Sequence, residues 1–418
     1  MRDDWARGVA VIGLGYIGLP TAAALATHGV RVIGVDIEPE TVKAVADGNV
    51  PFVEPDLSVA VSGAVAMGRL TATTEMPEAD CYIIAVPTPF GASQQADLGY
   101  VRSATEGIAP HLRGGELVIL ESTSPPGTTR MVSELLSQLR PDLRLPHQGE
   151  STPDVFVAHC PERVLPGRIM IELVTNPRVI GGISRACAQR AAELYQVFCQ
   201  GELVLTDAGS AEMAKLVENA YRDVNIAFAN ELSLICESLR LDAWEVISLA
   251  NRHPRVNILN PGPGVGGHCI AVDPWFIVQA APELARMIRT AREVNAAKPM
   301  HVAEQVIAKS KRFVSPTVAC LGLAFKANVD DLRESPAVDI VHRVATALPE
   351  VDVLVAEPFI DALPERLQGA SNIQLVTAAQ AIEAADIVVL LVDHDTFRSL
   401  NRSLREGKVV YDTRGLWR

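Results

Sequence analysis

The segment Gly262-Pro-Gly-Val-Gly-Gly-His-Cys269 runs a glycine-rich backbone up to a cysteine. Such a backbone can wrap closely around a ligand. A thiol can attack an aldehyde to give a thiohemiacetal; hydride loss then leaves a thioester, which water cleaves to an acid. The competing reading is a buried structural cysteine, and spacing alone does not separate the two. Asp273, four residues on, can orient a water or simply close the turn before Pro274. Lys215 and Asn219 are also four apart, with Arg222 three further on. On a helix they share one face. A lysine beside an amide can hold an alkoxide-like oxygen, although a solvated polar face has the same pattern.

A second constellation lies near the start. Gly13-Leu-Gly-Tyr-Ile-Gly18 is a GxGxxG motif that follows the apolar run Val9-Ala-Val-Ile12 and opens a helical pattern from Tyr16 to His28. Gly13 permits the tight turn, Gly15 lets backbone approach a pyrophosphate, and Gly18 lets helix and strand pack closely. The diphosphate then sits at the positive end of the helix. Asp36 ends the next strand pattern, Val30 to Val35. Its carboxylate can accept from both ribose hydroxyls and would repel a 2′-phosphate, so NAD is expected rather than NADP. Thr88 in Val86-Pro-Thr-Pro89, and Thr123 and Thr129 in Glu121-Ser-Thr-Ser-Pro-Pro-Gly-Thr-Thr129, follow later strand patterns. Ligands bind outside the carboxyl ends of such strands, and ordinary turns use the same residues.

The elements that must position these residues follow from periodicity. Apolar runs at 81–86, 117–120 and 155–158 alternate with helical segments, the pattern of a parallel sheet covered on both faces. Residues 209–250 read as one long helix and part of another, and Glu283–Ser310 as helix again. From Thr317 the strand-first pattern restarts, with runs at 318–323, 351–356, 385–392 and 409–411. The fold class is therefore α/β: two Rossmann-like, doubly wound parallel-sheet domains joined by a central helical connector. The expected domains are 1–208, 209–312 and 313–418. The polar stretch Arg144–Pro153 is expected to be a flexible loop.

The 418 residues include 37 basic and 50 acidic side chains, a net charge of −13. That balance argues against a nucleic-acid or anionic-membrane binder. No apolar run reaches the ~18–20 residues that span a bilayer, and Met1–Gly8 leaves no room for a signal peptide. Seven scattered cysteines without a CxxC pair suggest reduced thiols and no zinc site. A cytoplasmic location is expected.

Several longer stretches carry a resemblance. They are Val11–Pro20, Ala85-Val-Pro-Thr-Pro-Phe90, Cys160-Pro-Glu-Arg-Val-Leu-Pro-Gly167 and Arg222–Glu231, then Asn251–Asn257, Gly264–Trp275, Gly322–Lys326 and Leu332–Pro336. In this order, from end to end, the chain resembles the UDP-glucose/GDP-mannose dehydrogenase family, and within it the branch acting on UDP-N-acetyl-D-mannosamine. The resemblance implies NAD-dependent four-electron oxidation of a UDP-N-acetylhexosamine at C6, for making cell-surface polysaccharide precursors. UDP-N-acetylglucosamine or another UDP-hexose is the rival substrate. The resemblance implies that Cys269 is the nucleophile, Lys215 the proton-transfer and oxyanion group, and Asn219 its helper. Glu162 serves acyl transfer and hydrolysis; here it precedes Arg163, where many relatives have Phe. Thr123 and Asp273 hold the water. Arg163, Val164, Lys215, Asn219, Arg222, His253, Arg255, Gly266, Phe325 and Lys326 match the sugar-nucleotide pocket. Tyr16, Ile17, Asp36, Thr88, Thr129 and Arg333 match NAD contacts beside Gly13, Gly15 and Gly18. The C-terminal α/β domain is implied to hold UDP, and the central helices to form a homodimer.

Overall fold

The computed structural model describes residues 5–52, 54, 56–91, 95–149, 152–164, 167–267 and 269–418. The chain forms two compact units, Met1–Val217 and Glu218–Arg418. The first is built on strands β1 (Val9–Ile12), β2 (Val32–Val35), β3 (Leu70–Thr73), β4 (Cys81–Ile84), β5 (Leu117–Leu120), β6 (Phe156–His159), β7 (Arg178–Gly182) and β8 (Leu203–Asp207). Their order in the sheet is β3-β2-β1-β4-β5-β6-β7-β8. Alternate residues of one strand enter two different cores. Val9 and Val11 pack on one face, Ala10 and Ile12 on the other. Cys81 and Ile83 likewise part from Tyr82 and Ile84. Both faces are covered, which is why the strands read as unbroken apolar runs.

One feature departs from the expected parallel sheet: β7 pairs antiparallel to β6. The helix joining them, Ile169–Thr175, has only seven residues. It rises about 10 Å, little room for the long crossover that a parallel return requires. The segment expected to be flexible is also tied down in its described part. Asp154 accepts from the Arg144 backbone N–H at 2.9 Å and from its guanidinium at 2.7 and 3.0 Å. Residues 150 and 151 of that segment lie outside the described residues.

The long helix Ala208–Leu239 begins in the first unit and continues into the second. It stops at Arg240, whose φ is +60°. Asp242 then caps the helix Ala243–Ala250, accepting from the Trp244 and Glu245 N–H groups. A short helix, Asp273–Ala280, precedes the second long one, Arg286–Ser310. The second sheet contains β9 (Thr317–Leu321), β10 (Asp352–Ala356), β11 (Ile373–Leu375), β12 (Ile387–Leu390) and β13 (Val409–Asp412). Its order is β11-β10-β9-β12-β13, all parallel. Among the described residues, no helix is long and apolar enough to cross a membrane.

Candidate active site

In the first unit the glycine turn has the geometry its sequence suggests. Gly13 adopts φ +93°, and a Cβ there would lie 2.6 Å from the Ala85 carbonyl oxygen. A Cβ on Gly18 would lie 1.9 Å from the Gly13 oxygen. These two glycines are required by the protein's own packing. Gly15 is different: a Cβ there would meet nothing within 4 Å among the described residues. The space beside it is open at the start of the helix Gly18–Thr27, where an anion is favoured. Asp36 braces the turn, accepting from the Leu14 N–H at 2.8 Å and the Glu38 N–H at 3.0 Å. Ile17 precedes the helix, and Tyr16 stacks on Phe52 with ring centroids 4.2 Å apart. These groups fit a dinucleotide with free ribose hydroxyls.

The loops after β4 and β5 are tied to each other. Thr88 Oγ1 donates to the Thr123 carbonyl at 2.7 Å, and Ser122 Oγ donates to the Val86 carbonyl at 2.7 Å. Thr129 is fully buried, and its hydroxyl donates to Glu212 at 2.6 Å. The Gly127 and Thr129 N–H groups donate to the same carboxylate at 2.6 and 2.7 Å. Glu212 thus fixes the start of the long helix, and half-buried Lys215 follows it by three residues. Glu162 is buried after β6, paired with Arg178 at 2.9 Å and accepting from the Arg163 N–H at 2.7 Å. Val164 follows, half-buried against the core.

In the second unit the structure brings Cys269, Asp273 and Asn219 together. Asp273 is buried at the first turn of its helix, and its N–H donates to the Cys269 carbonyl at 2.8 Å. Asn219 Nδ2 donates to Asp273 Oδ2 at 2.5 Å. The Cys269 residue itself is exposed and forms no disulfide. The competing reading of this cysteine as a buried structural thiol is therefore set aside.

The run leading to Cys269 packs against the loop after β9. A Cβ on Gly266 would come within 2.5 Å of the Glu334 carbonyl oxygen and 3.0 Å of Phe325 Cβ. One on Gly267 would press on the Phe325 ring at 3.0 Å, and the Gly267 N–H donates to the Arg333 carbonyl at 3.2 Å. Arg333 forms a bidentate pair with Asp331, at 2.6 and 2.9 Å. Lys326 projects next to Phe325 and is exposed. Arg222, His253 and Arg255 are also exposed; the Arg255 N–H donates to His253 Nδ1 at 3.3 Å.

Sequence reasoning missed the groups that hold the site. Asn230 Oδ1 accepts from the Gly262 N–H at 2.9 Å, and its amide donates to Asn295 at 2.8 Å. Asn295 in turn donates to Asp223 at 2.8 Å, which pairs with Arg292 at 2.5 Å. This buried relay joins the two long helices to the first glycine of the Cys269 run. The only signal was a set of polar residues at core positions of amphipathic helices.

The turn after β9 repeats the device seen at Asp36. Gly322 adopts φ +94°, and the Leu323 and Ala324 N–H groups donate to Glu357 Oε2 at 2.7 and 3.0 Å. Here, however, the carboxylate is buried and also meets His394 Nε2 at 3.1 Å. It has no open side for a ribose.

Comparison with known proteins matches this architecture along its length. Residues 7–199, 209–297 and 319–418 match the NAD binding, central and UDP binding domains of the UDP-glucose/GDP-mannose dehydrogenase family. The chain belongs to that family. It is an NAD-dependent nucleotide-sugar dehydrogenase of α/β fold. Among its relatives, the NDP-N-acetyl-D-galactosaminuronic acid dehydrogenase of Ralstonia nicotianae is 56% identical over 98% of this chain and 96% of its own. The UDP-N-acetyl-D-mannosamine dehydrogenase of Escherichia coli (strain K12) is 53% identical, covering 98% and 99%. The solved UDP-N-acetyl-mannosamine dehydrogenase of S. aureus superposes with a TM-score of 0.86 at 40% identity, covering 98% and 95%. As a member of the family the protein uses NAD, which the open flank of Gly15 and the Asp36 carboxylate suit.

Proposed function

We propose that this enzyme oxidises UDP-N-acetyl-D-mannosamine at C6 to UDP-N-acetyl-D-mannosaminuronate, with Cys269 as covalent nucleophile. The observation that carries the reading is the exposed residue Cys269, whose backbone carbonyl accepts from the N–H of Asp273, itself held by Asn219. The balance is one CH₂OH, two NAD and one water giving one carboxylate, two NADH and three protons. NAD, when bound, accepts a hydride in each oxidation. Lys215 takes the C6 hydroxyl proton and steadies the alkoxide. Cys269 Sγ adds to the aldehyde carbon to form the thiohemiacetal, whose oxidation leaves a thioester. Asp273 and Thr123 hold the water, and Glu162 accepts its proton as the C–S bond breaks and the thiolate leaves.

Arg163, Val164, Arg222, His253, Arg255, Gly266, Phe325 and Lys326 bind the nucleotide sugar in this reading. Gly13, Gly15, Tyr16, Ile17, Gly18, Asp36, Thr88 and Thr129, within the NAD domain of residues 1–208, serve NAD, as does Arg333 from outside it. Residues 209–312 form the dimer, and residues 313–418 hold UDP. Exposed Tyr221, Phe228, Ile235 and Leu239 support the dimer: they follow one another at seven, seven and four residues along one helix face. The product is a nucleotide-activated uronate, the donor form required for building cell-surface polysaccharide, and the reading places its synthesis in the cytoplasm.

The relatives named for N-acetyl-D-galactosaminuronic acid favour a second reading, the galactosamine counterpart. Both relatives' names carry an N-acetylamino sugar; the mannosamine and galactosamine forms differ in configuration at C2 and C4, contrasts worth a few hydrogen bonds. NADH release over a panel of UDP-N-acetylmannosamine, UDP-N-acetylgalactosamine, UDP-N-acetylglucosamine and UDP-glucose decides. The highest kcat/KM is expected with the first. Cys269→Ser should abolish acid formation while NAD binding survives; acid formation at the unaltered rate would refute the covalent route.

A further inference from the structure

The first unit buries a charge cluster directly behind Glu162. Arg178, at the head of β7, is 4% exposed. Its guanidinium donates to Glu162 Oε2 at 2.9 Å and lies 4.0 Å from Glu121 Oε1. Tyr195 and Phe198 flank it, with ring centroids 4.8 and 5.2 Å from the guanidinium carbon. Glu121, at the end of β5, accepts from the Tyr195 hydroxyl at 3.1 Å. Cys160 Sγ sits 3.8 Å from Arg178 Nη1. One buried cation therefore faces two buried carboxylates.

We propose that Arg178 is the positioning residue for Glu162, and that Glu121 competes with Glu162 for the same guanidinium. The inference rests on the reading that Glu162 serves thioester hydrolysis. The guanidinium holds Glu162 through one charge-assisted Nη2–Oε2 bond, in a plane that the Tyr195 and Phe198 rings restrict, an arrangement that a flexible ammonium does not reproduce. Burial, followed by the Glu162 charge and offset by Arg178, pushes Glu121 up to about 8. The other titratable or charged groups facing Glu121 are Tyr195 and the thiols of Cys160 and Cys81, with the Thr21 hydroxyl beside it. Burial pushes all three of those groups upward, so they stay neutral near pH 8. Glu121 is thus protonated at neutral pH and leaves the cation to Glu162. Above pH 8 it ionises and draws Arg178 away.

Stopped-flow NADH release with a UDP-N-acetylhexosamine tests this. In Arg178→Lys the two oxidations should persist while hydrolysis slows. The NADH burst should then grow relative to the steady rate by about tenfold, the effect of about 1.4 kcal/mol on one step. A parallel fall of both phases would overturn the proposal. A second measurement does not depend on that variant folding. The ratio of steady rate at pH 9 to that at pH 7 should be several-fold lower in the unaltered enzyme than in Glu121→Gln. Equal ratios would overturn the proposal. Absence of any UDP-sugar-dependent NADH in the unaltered enzyme would instead overturn the proposed function, and this inference with it.

Discussion

Replacing Gly15 by alanine separates the demands of the fold from those of the cofactor. The new Cβ would meet no atom within 4 Å, and Gly15 does not have a left-handed φ. Alanine at such a position lowers the entropy of the unfolded chain and stabilises by about 0.4–1 kcal/mol. In a unit of this size that raises Tm by roughly 1–4 °C. The same methyl stands where the backbone must approach the pyrophosphate, separating it from the N–H groups at the helix start. Losing that approach should weaken NADH binding by about 10- to 100-fold, or roughly 1.4–2.8 kcal/mol. Gly18→Ala is the contrast: its Cβ, 1.9 Å from the Gly13 oxygen, should lower both stability and binding. Scanning calorimetry without ligand and titration calorimetry with NADH give the two quantities. Gly15→Ala binding NADH with the unaltered Kd would refute the assignment of that open flank to the diphosphate.

Phe228 is exposed on the long helix; for the proposed dimer, Phe228→Asp should shift sedimentation to monomer with the far-ultraviolet circular dichroism preserved. Burial pushes the His159 imidazole down to about 3, against 6.5 when exposed. The unfolded chain therefore binds the proton first, and stability is lost as pH falls from about 6.5 towards 3. His159→Leu should flatten that part of the stability curve in denaturant titrations; an unchanged acid slope would show that other groups carry it.

The elements and residues legible in the sequence share a physical origin. β1, β4 and β5 are buried on both faces, so their apolar runs have no interruption to confuse them. The Gly13–Gly18 turn and Asp36 are local in sequence, and their roles follow from spacing. β8 was missed because its residues are half-exposed or exposed, and β7 because a charged residue opens it. Arg178 looks like a surface residue until the fold surrounds it with Tyr195, Phe198 and two carboxylates more than ten residues away. Residues 209–250 read as two helices, but the place of the break, Arg240, left no local mark, since a non-glycine residue there takes the left-handed conformation. For Cys269 the motif was sufficient to suggest the chemistry. Its bracing by Asn230, Asn295 and Asp223 spans 72 residues between the long helices and leaves no local pattern.

The glycines before Cys269 suggest a slack chain, yet each is hemmed in. Beyond Gly266 and Gly267, a Cβ on Gly262 would strike Arg414 at 2.5 Å, and one on Gly264 would strike Pro299 and Pro336 at 2.9 Å. At Gly264 and Gly266 glycine supplies thinness: the backbone slips past two prolines and a carbonyl oxygen where no thicker residue fits. A free glycine segment loses more conformational entropy on ordering than any other. In this protein that loss is already incurred on folding, so on the proposed assignment the sugar nucleotide meets a backbone that has little freedom left to surrender.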